Sequence, residues 1–183
     1  MTNVQLERLE AMNKIGRILA PLTALPLVLL AACATTVNQR QLRELVDRNE
    51  INALVDKLGR ALDEGRYDDL GAIYTLDAIA ETPGGLAEGR AALIAQAGRN
   101  HSDDKRIQHF ISNVMVDLRG DTAEVRANLI ATFTPAAAAE PRIAPEPQFT
   151  LGEVYRFDAV RAAEGWRLSR VQTTPQWSTG TRP

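Results

Sequence analysis

Two histidines, His101 and His109, are the side chains of this chain whose ordinary pKa suits proton exchange near neutral pH. His109 lies in RIQHFISNVMVDLRGDTAEV, Arg106 to Val125, which reads as two strands joined by a tight turn at Arg119-Gly120-Asp121. Period-two alternation places His109 on one face with Ile107, Ile111, Asn113 and Met115, the mixed lining of a small-molecule pocket. An imidazole in that setting is a general base if something fixes its tautomer, and a satisfied core residue if nothing does. His101, in RNHSDDK, sits among polar loop residues and is expected to be exposed. A second residue stands out for its position. Asp63 falls in the last turn of a helix, where the dipole disfavours a negative charge by about 0.3–1 kcal/mol, so a carboxylate there implies a specific partner or a local role with Arg66.

Other chemistries have no residues to carry them. Two histidines and one cysteine, Cys33, leave no metal-binding cluster, and no glycine-rich phosphate loop is present; the expectation is a protein without cofactor or metal. The net charge of -2 offers no electrostatic attraction for a nucleic acid backbone. A hydrophobic share of 45% and a charged share of 24% are those of an ordinary globular domain.

The elements that must position His109 and Asp63 follow from periodicity. Leu45, Ile51, Leu54, Val55, Leu58 and Leu62 recur at three- and four-residue spacing between Leu42 and Leu62, which marks an amphipathic helix stopped by Gly65. A short helix is expected over Tyr67–Tyr74, then a strand, AIAET, a turn at Thr82-Pro83-Gly84-Gly85, and a helix in EGRAALIAQAGRN. Beyond Lys105 the chain reads as four strands. Val114, Val116 and Leu118 alternate outward to the first turn, and Val125, Ala127, Leu129, Ala131 and Phe133 alternate on the return. The proline-rich segment 135–147 reads as a long loop, and QFTLGEVYRFDAV and GWRLSRVQ as strands meeting near Ala163-Glu164-Gly165. Helices on one side of an antiparallel sheet make an α+β fold.

The N-terminal third has a different character. Lys14 and Arg17 precede an apolar run from Ile18 to Cys33, about 15 residues long against the roughly 20 that span a bilayer, and it contains Pro21 and Pro26. Basic residues, a short apolar stretch and the sequence Leu30-Ala31-Ala32-Cys33 resemble a bacterial lipoprotein signal. That resemblance implies lipidation at Cys33 and an extracytoplasmic location in the bacterial cell envelope, or a cytoplasmic one if the segment is not a working signal. Met12 reads as the natural start. The expected organisation is a signal-type extension over residues 1–33, a tether over 34–41, a folded domain over 42–177 and a tail over 178–183.

Four blocks, ALDEGRYDDLGAIYTLDA, EGRAAL, QHFISNVMVDLRGDTAEVRA and GWRLSRV, resemble the SnoaL-like domains of the nuclear-transport-factor-2-like superfamily. The resemblance implies a cone, a strongly curved antiparallel sheet wrapped around N-terminal helices with an apolar pocket at its open end. In the dehydratase and dehydrochlorinase branch an aspartate near the end of the first helix holds a histidine of this strand, and by position these are Asp63 and His109. Such members carry a tyrosine or lysine five residues before the aspartate, where this chain has Leu58, so Tyr74 or Tyr155 is left to supply a polar group. An arginine completes related sites, and Arg156 and Arg161 both fit its place. The ketosteroid-isomerase arrangement, an aspartate before a proline, is not met, because Thr82 precedes Pro83. The implied substrate contacts are Asn113, Met115, Tyr74, Tyr155, Leu58 and Trp177, the last either closing the pocket mouth or packing on a partner.

Three functions are compatible with this reading. One is a cofactor-independent lyase or isomerase acting on a small apolar molecule. The second is a binding module with the same pocket. The third is an interaction domain, a homodimer through the outer face of its sheet, held at a membrane by its lipid anchor alone.

Overall fold

The computed structural model describes residues 24–99, 102, 104–136 and 146–182, with side chains from residue 38 onward. His101, Lys14, Arg17 and the side chain of Cys33 lie outside the described residues, as does most of the segment 135–147. The chain divides into two compact units, Met1–Leu45 and Val46–Pro183. In the first unit the described residues are helical, with an exposed Arg40–Glu44 ion pair one turn apart and with Leu42 and Leu45 exposed. Residues 34–41 are helical. Among the described residues no helix is long and apolar enough to cross a membrane.

Helix α1 is Ala24–Asp63, and its part in the second unit forms for the reason its periodicity announces. Ile51, Leu54, Val55, Leu58 and Ala61 lie one turn apart and are all buried, so a single stripe drives the helix onto the sheet. It ends where Gly65 takes a positive φ of 66°, which lets the Arg66 N–H reach back to the Ala61 carbonyl at 2.9 Å. A 3-10 turn, Tyr67–Asp69, and helix α2, Leu70–Ile73, follow. The chain is already extended at Tyr74, so the second helical stretch is shorter than its residue types suggest. Strand β1 is Tyr74–Thr82, β2 Gly85–Glu88 and helix α3 Arg90–Gly98. β2 has only four residues and one buried side chain, too short to leave an alternation in the sequence.

Four long strands complete the sheet: β3 Lys105–Arg119, β4 Thr122–Pro135, β5 Phe149–Ala162 and β6 Gly165–Gly180. The order is β2-β1-β6-β5-β4-β3. All neighbours are antiparallel except β1 and β6, which run parallel. β6 continues to Gly180, so residues 178–180 belong to the sheet rather than to a tail. Extra residues in β3 between Ser112 and Met115, and in β6 opposite Gly152–Glu153 and Asp158–Ala159, break the ladder locally. Such bulges increase twist and bend a sheet. Its inner face holds the core, where Trp166, Phe157, Leu168 and Tyr74 meet the buried stripe of α1 and Leu93 of α3.

Several polar contacts lock this frame. Asp47 on α1 accepts from the Trp166 indole at 3.2 Å and from Arg161 at 2.6 Å, and the Arg161 guanidinium lies 4.6 Å from the centre of the Trp166 ring. Arg90 donates to the carbonyls of Gly71 at 2.7 Å and Tyr74 at 3.3 Å, fixing the corner where α2 turns into β1.

Candidate functional site

Asp63 and His109 come together across 46 residues of sequence. β3 is an edge strand, so its backbone carries donors that β4 does not use. The His109 N–H is one of them, and it donates to Asp63 Oδ1 at 2.8 Å. The same oxygen lies 2.7 Å from His109 Nδ1. A carboxylate only accepts, so Nδ1 carries the proton and Nε2 of the neutral ring keeps the lone pair. Asp63 thus sets ring orientation and tautomer at once. It answers the unfavourable position of an acid at a helix C-terminus with two donors, and Arg66 plays no part, being paired with Glu64 and Asp69.

His109 opens onto a cavity of about 580 Å³ inside the curved sheet, within the range of small-molecule sites. Leu58 and Leu62 of α1, Tyr74 of β1, Leu93 of α3 and Leu129, Ala131 and Phe133 of β4 form its mostly apolar walls. Leu58 is buried wall, as its place in the helical stripe requires. Tyr74 and Tyr155 are both on the wall and both buried. Burial raises each hydroxyl above the ordinary tyrosine range, Tyr74 further through Tyr155, and Tyr155 further through Glu153 and Asp63. Each therefore stays a neutral donor at any working pH.

Three expected contacts fall elsewhere. Strict alternation would put Asn113 and Met115 beside His109. The bulge after Ser112, where Asn113 takes a φ of 52°, inserts one residue and reverses the parity of the strand. Val114 and Val116 then take the inner positions, and Met115 is 65% exposed. Trp177 lies on the outside too, half exposed, with its indole over Gly152 so closely that a Cβ there would sit 2.2 Å from the ring. Neither candidate arginine reaches the cavity. Arg156 is exposed on β5, and Arg161 is held by Asp47 and Asp121. The arginine at the cavity is Arg182, brought to the mouth because Gly180, at a φ of 83°, lets the Thr181 N–H bond the Gln148 carbonyl at 2.9 Å.

The residue that sequence reading passes over is Glu153. It is 8% exposed, lines the cavity from β5, and its Oε1 has no hydrogen-bond partner among the described residues. Thr173 Oγ1, also on the wall, is likewise buried without a partner. Burial raises the Glu153 carboxyl above the usual carboxylate range, and the nearness of Thr173, His109 and Arg182 offsets this only in part. A signal was available: Leu151, Tyr155, Phe157 and Ala159 alternate along β5, and Glu153 is the acid in that row.

The profile of the SnoaL-like domain matches residues 43–172. The chain belongs to the SnoaL-like family. An uncharacterised protein of Mycobacterium tuberculosis is 33% identical over 134 residues, covering 71% of this chain and 86% of the relative. Among solved structures, a nuclear-transport-factor-2-like protein with a cystatin-like fold from Novosphingobium aromaticivorans shares 26% identity at a TM-score of 0.63, over 75% of this chain and 87% of that one. A protein assigned as a scytalone dehydratase from the same species shares 20% at a TM-score of 0.63, over 76% and 91%. A hexachlorocyclohexane dehydrochlorinase shares 16% at 0.64, over 78% and 97%. For the last two the likeness is one of fold. This SnoaL-like domain is an α+β fold whose mostly antiparallel sheet curves around its helices.

Proposed function

We propose that this SnoaL-like domain is a cofactor-independent lyase that removes a proton from carbon in a small, largely apolar substrate. The observation that carries the reading is the Asp63–His109 contact of 2.7 Å at the wall of a 580 Å³ cavity. His109 takes the proton on Nε2. Asp63 stabilises the imidazolium that forms, and the apolar wall around Leu58 binds the substrate. Folds of the same kind in a dehydrochlorinase and in a protein assigned as a scytalone dehydratase support the class of reaction. A second reading, a binding module without catalysis, is favoured by Leu58, an apolar side chain where dehydratase-like members place a tyrosine or lysine.

Mass spectrometry of small molecules retained by the purified protein supplies the substrate candidate, and turnover decides between the readings. Under the lyase reading His109→Ala and Asp63→Asn each abolish product formation, and the double variant loses little more, since residues acting as one unit are not additive. A retained molecule bound equally by wild type and both variants, and never converted, leaves the binding module.

Two further assignments belong to this proposal. A second copy of the chain packs on the outer face of the sheet. Its support is a stripe running straight across the strands, Phe110 beside Ile130, Ile130 beside Gly152, and Gly152 beneath Trp177, with the three large side chains 51%, 41% and 50% exposed. Isolated exposed apolar residues are ordinary, but an aligned row suits a symmetric contact. Export with lipidation at Cys33 rests on the basic, apolar and Ala-Ala-Cys succession; Cys33→Ser then leaves an unprocessed precursor in the native host, and wild-type protein with Met1 or Met12 intact would exclude it.

A further inference from the structure

The cavity holds a second group able to move a proton, and the Asp63–His109 mechanism makes no use of it. Glu153 stands on the inner face of β5 in register with Leu129 of β4, which is in turn opposite Ile111 of β3. His109 occupies the adjacent inner row, opposite Ala131. The two Cα positions are therefore two strand spacings apart, about 10 Å, and offset by about 7 Å along the strands. Both side chains line the same cavity, with Ala131 and Leu129 between them, and their charges are close enough to act on one another. The gap is one that a small substrate fills, touching the imidazole on one side and the carboxyl on the other.

A buried carboxyl with an orphan oxygen is costly, because the neighbouring Thr173 hydroxyl repays only part of its removal from water. No salt bridge neutralises Glu153 among the described residues, whereas Asp63, Asp47 and Glu81 all have cationic or imidazole partners. Burial favours its protonated form, and a protonated carboxyl is both a donor and an acid. Such groups concentrate where chemistry needs them.

We infer that Glu153 is the general acid of the site, donating its proton to a departing oxygen while His109 removes a proton from the neighbouring carbon. The inference rests on the lyase reading and narrows it to dehydration. In the step, the C–H bond of an activated carbon breaks and its proton goes to His109 Nε2. The electron pair becomes the new C=C bond, the C–O bond breaks, and the oxygen leaves as water carrying the Glu153 proton. His109 then returns a proton to the Glu153 carboxylate through solvent, so the net reaction is alcohol to alkene and water, with no oxidant or reductant. The substrate class is an apolar β-hydroxy carbonyl compound. A halide leaves without being protonated and has no need of Glu153, so the acid selects for an oxygen leaving group over a halogen.

Two measurements test this. The infrared difference spectrum of wild type minus Glu153→Gln, followed as the pH is raised, should show the carbonyl stretch of one protonated carboxyl persisting above the pH at which an exposed glutamate loses it; a carboxylate pair that appears as early as for an exposed glutamate overturns the assignment and leaves the His109 reading standing. The second measurement compares elimination from 4-hydroxy-4-(4-nitrophenyl)butan-2-one with that from 4-(4-nitrophenoxy)butan-2-one, whose aryloxide departs without an acid. General acid catalysis is worth about 100-fold or more, so Glu153→Gln should lose that much on the hydroxyl compound and at least about tenfold less on the aryloxide. His109→Ala should lose both. Equal losses by Glu153→Gln on the two compounds, or no loss on the hydroxyl compound, refute a role as proton donor. Indistinguishable rates for wild type and His109→Ala on both compounds refute the lyase reading, and this inference with it.

Discussion

Asp63→Ala tests the link between helix end and edge strand most directly. The substitution removes one oxygen that accepts two bonds, from the His109 backbone N–H at 2.8 Å and from Nδ1 at 2.7 Å. Hydrogen bonds to a charged group contribute about 1.5–3 kcal/mol each when buried. Here the Asp63 side chain is 26% exposed, so water recovers part of each, and removing a negative charge from a helix C-terminus returns about 0.3–1 kcal/mol. The expected net loss is about 2–3 kcal/mol. At about 3 °C per kcal/mol for a domain of this size, the melting temperature falls by roughly 6–9 °C. Thermal denaturation followed by circular dichroism measures it. Asp63→Asn keeps an acceptor oxygen and should lose no more than about 1.5 kcal/mol. His109→Ala keeps the backbone bond, and combined with Asp63→Ala it should cost less than the two singles together, because they share one contact. A melting temperature for Asp63→Ala within about 2 °C of wild type, at that same conversion, would show that the carboxylate does not hold the strand in solution, and the argument for a fixed tautomer would go with it.

Three other outcomes follow from the same contacts. The Glu153 carboxyl is raised above 4.5 in the folded state, so the folded protein binds more protons than the unfolded one just above that pH, and its contribution to stability is lost as pH rises through the folded value; Glu153→Gln should therefore gain stability relative to wild type on going from pH 4.5 to 8, and a pH-independent difference would refute the burial argument. Gly180→Ala places a Cβ 2.0 Å from the Gln148 carbonyl oxygen at a positive φ, so it should detach the C-terminal segment from β5, seen as new proteolytic cleavage near Arg182. Phe110→Asp introduces a charge into the outer stripe without touching the cavity; under the proposal that a second copy packs there, light scattering should report a dimer for wild type and a monomer for the variant, with the melting temperature of the monomer little changed, and a monomeric wild type would refute that proposal.

Local physics carried much of this protein in its sequence. The stripe Ile51, Leu54, Val55, Leu58 names the buried face of α1 because a helix repeats every 3.6 residues, and Gly65 ends it because only glycine takes a left-handed φ without cost. Gly120 and Gly165, both at positive φ, close the two long hairpins where the alternating strands predict them. Asp63 and His109 were legible as a pair through the family resemblance, and the odd placement of an acid in a last helical turn pointed the same way. What tertiary structure decided was parity and pairing. One inserted residue after Ser112 turned Asn113 and Met115 outward, and no alternation rule anticipates an insertion whose compensation lies in the strand opposite. The parallel match of β1 with β6 depends on contacts about ninety residues apart, and the placement of Trp177 over Gly152 depends on the bulge that shifts the register of β6 against β5. Glu153 is the sharpest case. Its alternation with Leu151 and Tyr155 was visible, but whether an inward acid meets a partner, water or an open cavity is settled only when the curved sheet closes around it.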